Sequence, residues 1–266
     1  MDRLEQLLYL NEKLLADLPQ YRQQAVAFPQ DVQSQRRLLR SLMNVRPPLP
    51  LDPEFLAVQD ELLSTEREET GVVDGEALPA APLDPRLALW QGDITTLQVD
   101  AIVNAANAAL LGCFAPCHGC IDNAIHSAAG LQLREECRRL MDGQGRPEPN
   151  GRAKLTPGYN LPARYVLHTV GPIVCGRVTR QDREDLASCY RSCLELASEH
   201  KLRSVAFCCI STGEFHFPNR EAAEIAVETV QGFLRHDTSI QKVIFNVFKD
   251  LDQAIYRDLL GLGPRP

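Results

Sequence analysis

The sequence predicts an α/β domain on a mixed, mostly parallel sheet with helices on both faces, preceded by a helical extension. Three observations carry that expectation. From residue 87 onward, short apolar runs alternate with longer helical patterns, the order that buries a parallel sheet between two helical layers. Before residue 64, leucines recur at helical spacing instead. Between these regions lies a stretch that is charged and then rich in Pro and Ala, which reads as a boundary.

The extension divides into three segments. Leu4, Leu7, Leu8, Leu14, Leu15 and Leu18 form the apolar stripe of the first, and Val32, Leu38, Leu39 and Leu42 that of the second. Asp52-Pro53 is a helix-start signal, with Phe55, Leu56, Leu62 and Leu63 behind it. Pro19, Pro29 and the PPLP at 47–50 punctuate the three. Each helix has one apolar face, so the set is expected to form a small bundle or a cap on the main domain. Residues 64–86 are expected to be an irregular linker. The division is then 1–80 for extension and linker, and 81–266 for the main domain.

In the main domain, LALWQG (87–92) and DAIVNAA (100–106) read as strands, and 121–141 as a helix. YVLHTVG (165–171) is a strand, 181–200 a helix, SVAFCCI (204–210) a strand and 219–235 a helix. KVIFNVF (242–248) supplies a further strand and 250–260 a final helix.

Bulk properties narrow the function. The net charge is −7 and no basic stripe appears, so nothing favours nucleic acid. No run approaches the roughly 18–20 apolar residues of a membrane span. The N-terminus carries charges throughout, unlike a signal peptide. Nine cysteines, an odd number clustered between Cys113 and Cys209, fit a reducing cytoplasm better than a disulfide scaffold.

Chemistry is expected at the carboxyl ends of the strands, where ligands bind in open α/β sheets. Gly92 and Asp93 follow the first strand, Asn107 the second, and Ser211-Thr212-Gly213 the fourth, ahead of a helix whose N–H groups suit a phosphate. Phe248 ends the last strand and offers a stacking surface. Between Asn107 and the first main-domain helix stands Cys113-x4-His118-x-Cys120. Spacing alone leaves two readings open, a three-ligand site of the catalytic zinc type and a metal-free loop. Cys117 is set aside because its neighbour His118 is already a ligand in the first reading. Asp122 is either an N-cap or a water-orienting carboxylate, favoured in its ionised form by the helix dipole. His126 and His168 read as hydrogen-bonded core residues. A thiol-based redox sensor using Cys117, Cys208 or Cys209 is the weakest reading.

Taken together, WQGDIT, VDAIVNAAN, IDNAIHSAAG, YVLHTVGP and ISTGEFHFP resemble the macrodomain family over residues 87–260, and within it the MacroD-type branch that removes ADP-ribose from proteins. Where that branch usually has a glycine-rich run, this chain has GCFAPCHGC, which resembles the zinc-containing macrodomain subgroup of bacteria. Its members are often encoded beside a sirtuin-type ADP-ribosyltransferase and a lipoate-linked carrier protein, and carry a helical N-terminal extension. The resemblance implies a three-layer α/β/α fold with ADP-ribose in a cleft above the sheet. It implies that Asp93 binds the adenine amino group with the Ile94 backbone assisting, and that Phe248 covers the adenine face. Ser211, Thr212, Gly213, Glu214 and Phe215 would wrap the pyrophosphate, and Asn107 would contact the distal ribose. Cys113, His118 and Cys120 would hold Zn2+, with Asp122 and Asn107 as catalytic residues. The implied activity is zinc-dependent hydrolysis of mono-ADP-ribose from Asp or Glu side chains of a target such as a lipoate-linked carrier protein. A non-catalytic ADP-ribose reader and an O-acetyl-ADP-ribose deacetylase are the alternatives. A cytoplasmic monomer is expected.

Overall fold

The computed structural model describes residues 1–263; the last three residues of the segment expected at 81–266 lie outside the described residues. Helix α1 (Arg3–Asp17) starts with a capping box between Asp2 and Glu5, satisfying two of the free N–H groups of its first turn. A short α2 (Arg22–Ala25) follows. Helix α3 (Val32–Val45) is capped by Asp31, and α4 (Pro53–Thr70) by Asp52 with proline in its first turn. Their leucine faces meet: Leu7, Leu10, Leu14, Leu39, Leu42 and Leu62 are buried in one cluster, which Leu131 of the main domain also joins.

The expected linker is shorter than 64–86. Helix α4 continues to Thr70 because STEREET holds no breaker and is rich in good helix formers; Gly71, at φ +89°, ends it. Strand β1 (Val73–Asp74) then pairs with β3 (Leu97–Gln98), so the linker region also contributes a strand.

The central sheet has the order β2-β8-β7-β4-β6-β5. Strands β2 (Leu87–Gln91), β4 (Ala101–Ala105), β6 (Tyr165–Thr169), β7 (Ser204–Phe207) and β8 (Lys242–Val247) run parallel. Strand β5 (Ala153–Pro157) lies antiparallel on the edge beside β6. No strand was expected there: AKLTP is only partly buried and ends in proline, so it lacks the apolar signature of the inner strands. The helix expected over 121–141 is two helices, α5 (Ile121–Ala129) and α6 (Leu131–Gln144), separated by Gly130 at φ +97°. Helices α7 (Arg180–Glu199), α8 (Asn219–Leu234) and α9 (Asp250–Leu259) pack together, while α5 packs on β4, α6 on β5, and α3 against α5. This is the three-layer α/β/α arrangement with its helical extension on the α5 side. No helix among the described residues is long and apolar enough to cross a membrane.

Candidate active site and metal centre

The parallel strands all end at one edge, so the segments that follow them converge. Gly92 N–H donates to Val247 O and Asn246 Nδ2 to Gly92 O, tying the β2 and β8 ends together. The loop after β7 meets the one after β6: Val174 N–H donates to Phe215 O, and a Cβ on Gly171 would collide with Ser211 Oγ.

Asn107, just beyond β4, turns the chain into the cysteine segment. Its Nδ2 lies 3.1 Å from Gly112 O and 3.4 Å from Asp122 Oδ2. Within the segment, Cys113, His118 and Cys120 bring three ligand atoms within 4.8 Å of one another. Cys113 Sγ stands 3.6 Å from His118 Nδ1. Ligands about 2.3 and 2.0 Å from one tetrahedral zinc would stand roughly 3.6 Å apart, so the donor set fits a zinc ion in both chemistry and spacing. His118 presents Nδ1 to Cys113, and Glu214 Oε1 stands 3.8 Å from its Nε2. Cys117 turns away, its Sγ 3.2 Å from Ser41 Oγ.

Cys120 is the N-cap of α5, its Sγ accepting from Asn123 N–H at 3.4 Å. Burial, with a smaller contribution from Cys113 nearby, pushes its thiol up to about 11 against the pull of the Asn123 N–H. The Cys120 thiol therefore stays protonated unless a cation binds beside it, since coordination deprotonates a thiol.

The N-cap is therefore not Asp122, which is the second residue of the helix and is buried. Its Oδ1 accepts from Asn104 Nδ2 at 2.8 Å. Burial lifts the carboxyl to about 6, against the pull of the Asn104 hydrogen bond and the charge of Arg134. The helix dipole was expected to favour the ionised form; desolvation outweighs it here. Asn104 Nδ2 also faces His168 Nδ1 at 3.2 Å, and His168 Nε2 faces Thr156 Oγ1 at 2.9 Å. The pattern fits a neutral Nε2–H tautomer, and burial pushes His168 down to about 3. His126 is a core residue too, but its ring nitrogens have no hydrogen-bond partner; Nε2 is 3.5 Å from Asp122 Oδ1.

Asp93 is exposed and caps its own turn, Oδ1 accepting from Thr95 N–H and Oγ1; Ile94 beneath it is buried. Asp93 faces a cavity of about 200 Å³ whose other wall includes Arg36, Arg40 and Arg67 of the extension. Phe248 is 77% exposed at the end of β8. Ser211 is held at φ +64° with its Oγ buried and without a hydrogen-bond partner. The loop closes on itself through Phe217 N–H to Ser211 O and His216 N–H to Gly213 O, while the N–H groups of Thr212, Gly213, Glu214 and Phe215 make no such internal bond. Successive free N–H groups form an anion-binding concavity. Cys208 is buried and Cys209 partly so, and desolvation pushes both thiols up, Cys208 to about 12, so neither is a reactive thiolate.

Two functional neighbours were missed from the sequence. Asn104 looked like one more strand residue, yet it anchors Asp122. Arg134 is 3% exposed; a charged residue on the apolar face of α6 was the available signal. Its Nε donates to Leu111 O at 2.7 Å, its Nη1 to the carbonyls of Met43, Asn44 and Arg46, and it stacks over Phe114 at 4.4 Å.

An α/β/α sheet with polar loops gathered at the strand ends defines a ligand-binding α/β domain. Residues 103–226 match the Macro domain family. The chain is 49% identical over 268 residues to a Treponema medium protein named protein-ADP-ribose hydrolase, covering 98% of this chain and 100% of that one. Mouse ADP-ribose glycohydrolase MACROD1 is 49% identical over 67% of this chain and 52% of its own. Among solved structures, a Trypanosoma brucei macrodomain in complex with ADP-ribose aligns with TM-score 0.66 and 35% identity, covering 84% of this chain and 95% of that one. An Oceanobacillus iheyensis macrodomain mutant with ADPR aligns with TM-score 0.61 and 39% identity, over 66% and 92%. The chain belongs to the Macro domain family.

Proposed function

We propose that this chain is a zinc-dependent protein-ADP-ribose hydrolase that releases mono-ADP-ribose from acidic side chains of a target protein. The observation that carries the reading is the convergence of Cys113, His118 and Cys120 beside Asn107 and the buried Asp122. Relatives named protein-ADP-ribose hydrolase, at 49–50% identity, support the hydrolase, and macrodomains solved with ADP-ribose support the ligand. A bound zinc would supply a Lewis acid that polarises a ribose hydroxyl or water. Three protein ligands, rather than four, leave room for that contact.

The chain's own residues do the rest. The free N–H groups of residues 212–215 cradle the pyrophosphate, Asp93 takes the adenine amino group, and Phe248 covers the base. Asn107 hydrogen-bonds the distal ribose and holds its anomeric carbon at the strand edge. Asp122, in its ionised form, accepts a proton from a water as the water oxygen bonds to that carbon. The bond to the target's carboxylate breaks, and the acidic side chain leaves with the electron pair. Asn104 keeps Asp122 aimed while this happens. Positioning of this kind supplies several kcal/mol of barrier lowering.

Release of label from an Asp/Glu-modified acceptor by the zinc-loaded protein tests the reading. Cys113→Ala should lose zinc and slow turnover by at least about 10-fold, with free ADP-ribose still bound. A zinc-free variant that turns over at the wild-type rate removes the metal from the mechanism. Tight ADP-ribose binding with no release would make the chain a reader module, and cleavage of O-acetyl-ADP-ribose alone would make it a deacetylase.

A further inference from the structure

We propose that helix α3 of the N-terminal extension is part of the metal centre's scaffold, with Arg40 and Asn44 as positioning residues for the Cys113–Cys120 loop. The inference rests on the metal reading above and adds a role for the extension.

The loop has little to hold it by itself. Cys120 is fixed by capping α5. Cys113 and His118 instead lie on irregular chain whose internal backbone hydrogen bonding, among the described residues, is His118 N–H to Ala115 O, at 3.3 Å. Helix α3 supplies further anchors. Asn44, 1% exposed, accepts from Cys117 N–H at 2.8 Å through Oδ1 and donates to Ser127 Oγ at 3.0 Å. Arg40 donates to His118 O at 3.3 Å and to Asn123 Oδ1 at 2.9 Å; Asn123 in turn donates to Ala115 O. Cys117 sits at φ +52°, a conformation that costs a non-glycine residue about 1 kcal/mol or more and persists only when its surroundings impose it. Its anchors, Asn44 on the N–H and Ser41 and Arg37 O on the thiol, all come from α3. At the other end of the loop, Arg134 ties Leu111 O to the last carbonyls of α3 and stacks on Phe114. The His118 half of the loop is therefore held by α3, while the Cys113 half is held from the main domain by Asn107 and Arg134. Groups that orient ligands in this way are worth roughly 10- to 100-fold in metal affinity.

The test is zinc affinity of the full-length chain, measured by competition with a chromogenic chelator, beside ADP-ribose affinity by calorimetry on the same protein. Arg40→Ala and Asn44→Ala should each weaken zinc binding by about 10- to 100-fold; Asn44→Ala, whose residue does not line the cavity at Asp93, should keep ADP-ribose affinity within about twofold of wild type. Asn44→Asp keeps an acceptor for Cys117 N–H and should recover part of the loss. Leu62→Ala, in the extension core but away from the loop, should lower the melting temperature and leave zinc affinity unchanged. If wild type binds zinc and both α3 variants hold it within threefold as tightly, the inference fails while the metal reading stands. It also fails if Leu62→Ala weakens zinc as much as they do. A wild-type chain that takes up no zinc overturns both.

Discussion

At the scale of single residues, the site is governed by what burial does to charge. Asp122, His126 and His168 are buried near one another under the strand edge, and burial pushes each toward its neutral form. Asn104 lets them coexist: one amide nitrogen faces both Asp122 Oδ1 and His168 Nδ1. The consequence for His168 can be measured. Its folded pKa, near 3, lies below the unfolded value of about 6.5. Between these values the unfolded chain binds the extra proton, so this histidine's contribution is intact above about pH 6.5 and is lost as pH falls below it. The slope is up to about 1.4 kcal/mol per pH unit. His168→Gln removes that share. Urea unfolding at pH 7.5 and pH 5.5 should show a smaller acid loss for the variant than for wild type, by about 1 kcal/mol; equal losses would show that His168 titrates normally.

Among the elements, the junction between α5 and α6 carries the most structure per residue. Gly130, at φ +97°, ends one helix and begins the next. A Cβ there would press on Gln132 Oε1 and Gln59 Nε2. These two side chains bond to each other, to Leu131 N–H and to Asp60, joining α4 to α6. Gly130→Ala should therefore cost about 1–3 kcal/mol, read as a lower urea midpoint; an unchanged midpoint would mean the junction relaxes without strain. A periodicity argument cannot see this break, because the apolar pattern runs through residue 130 without interruption. Strand β5 was invisible for the opposite reason, having almost no apolar pattern. Helix α4 was underestimated because charged residues look like linker when nothing indicates that they line a helix.

Over the whole molecule, the described residues form two separate apolar clusters, one in the main domain and one in the extension. Leu131 belongs to the extension's cluster although it starts a main-domain helix. Arg134 donates to three carbonyls across the boundary and to Leu111 O on its own side, and burial draws its guanidinium down to about 10, still charged at neutral pH. Removing it would strand buried carbonyls at about 1–3 kcal/mol each. Calorimetry should show one unfolding transition for wild type and, for Arg134→Met, an earlier transition as the extension detaches. A single transition at the wild-type temperature would show that the two clusters are joined by apolar contact alone.

The sequence by itself determined the layer order, the strand-end loops and the Cys-His-Cys spacing, because each is a local pattern: apolar runs for inner strands, breakers for turns, soft ligands within eight residues of each other. It also separated Cys117 from the metal reading on adjacency alone, and the structure places that thiol against α3. Tertiary structure decided what those residues experience. Asp122 stands at a helix start that favours a carboxylate, yet it is dry enough for its pKa to rise. The extension read as a bundle or cap; folded, it supplies the hydrogen bonds that hold the cysteine loop, from residues more than 70 positions away. Desolvation and long-range hydrogen bonding depend on which surfaces meet, and no spacing along the chain encodes them.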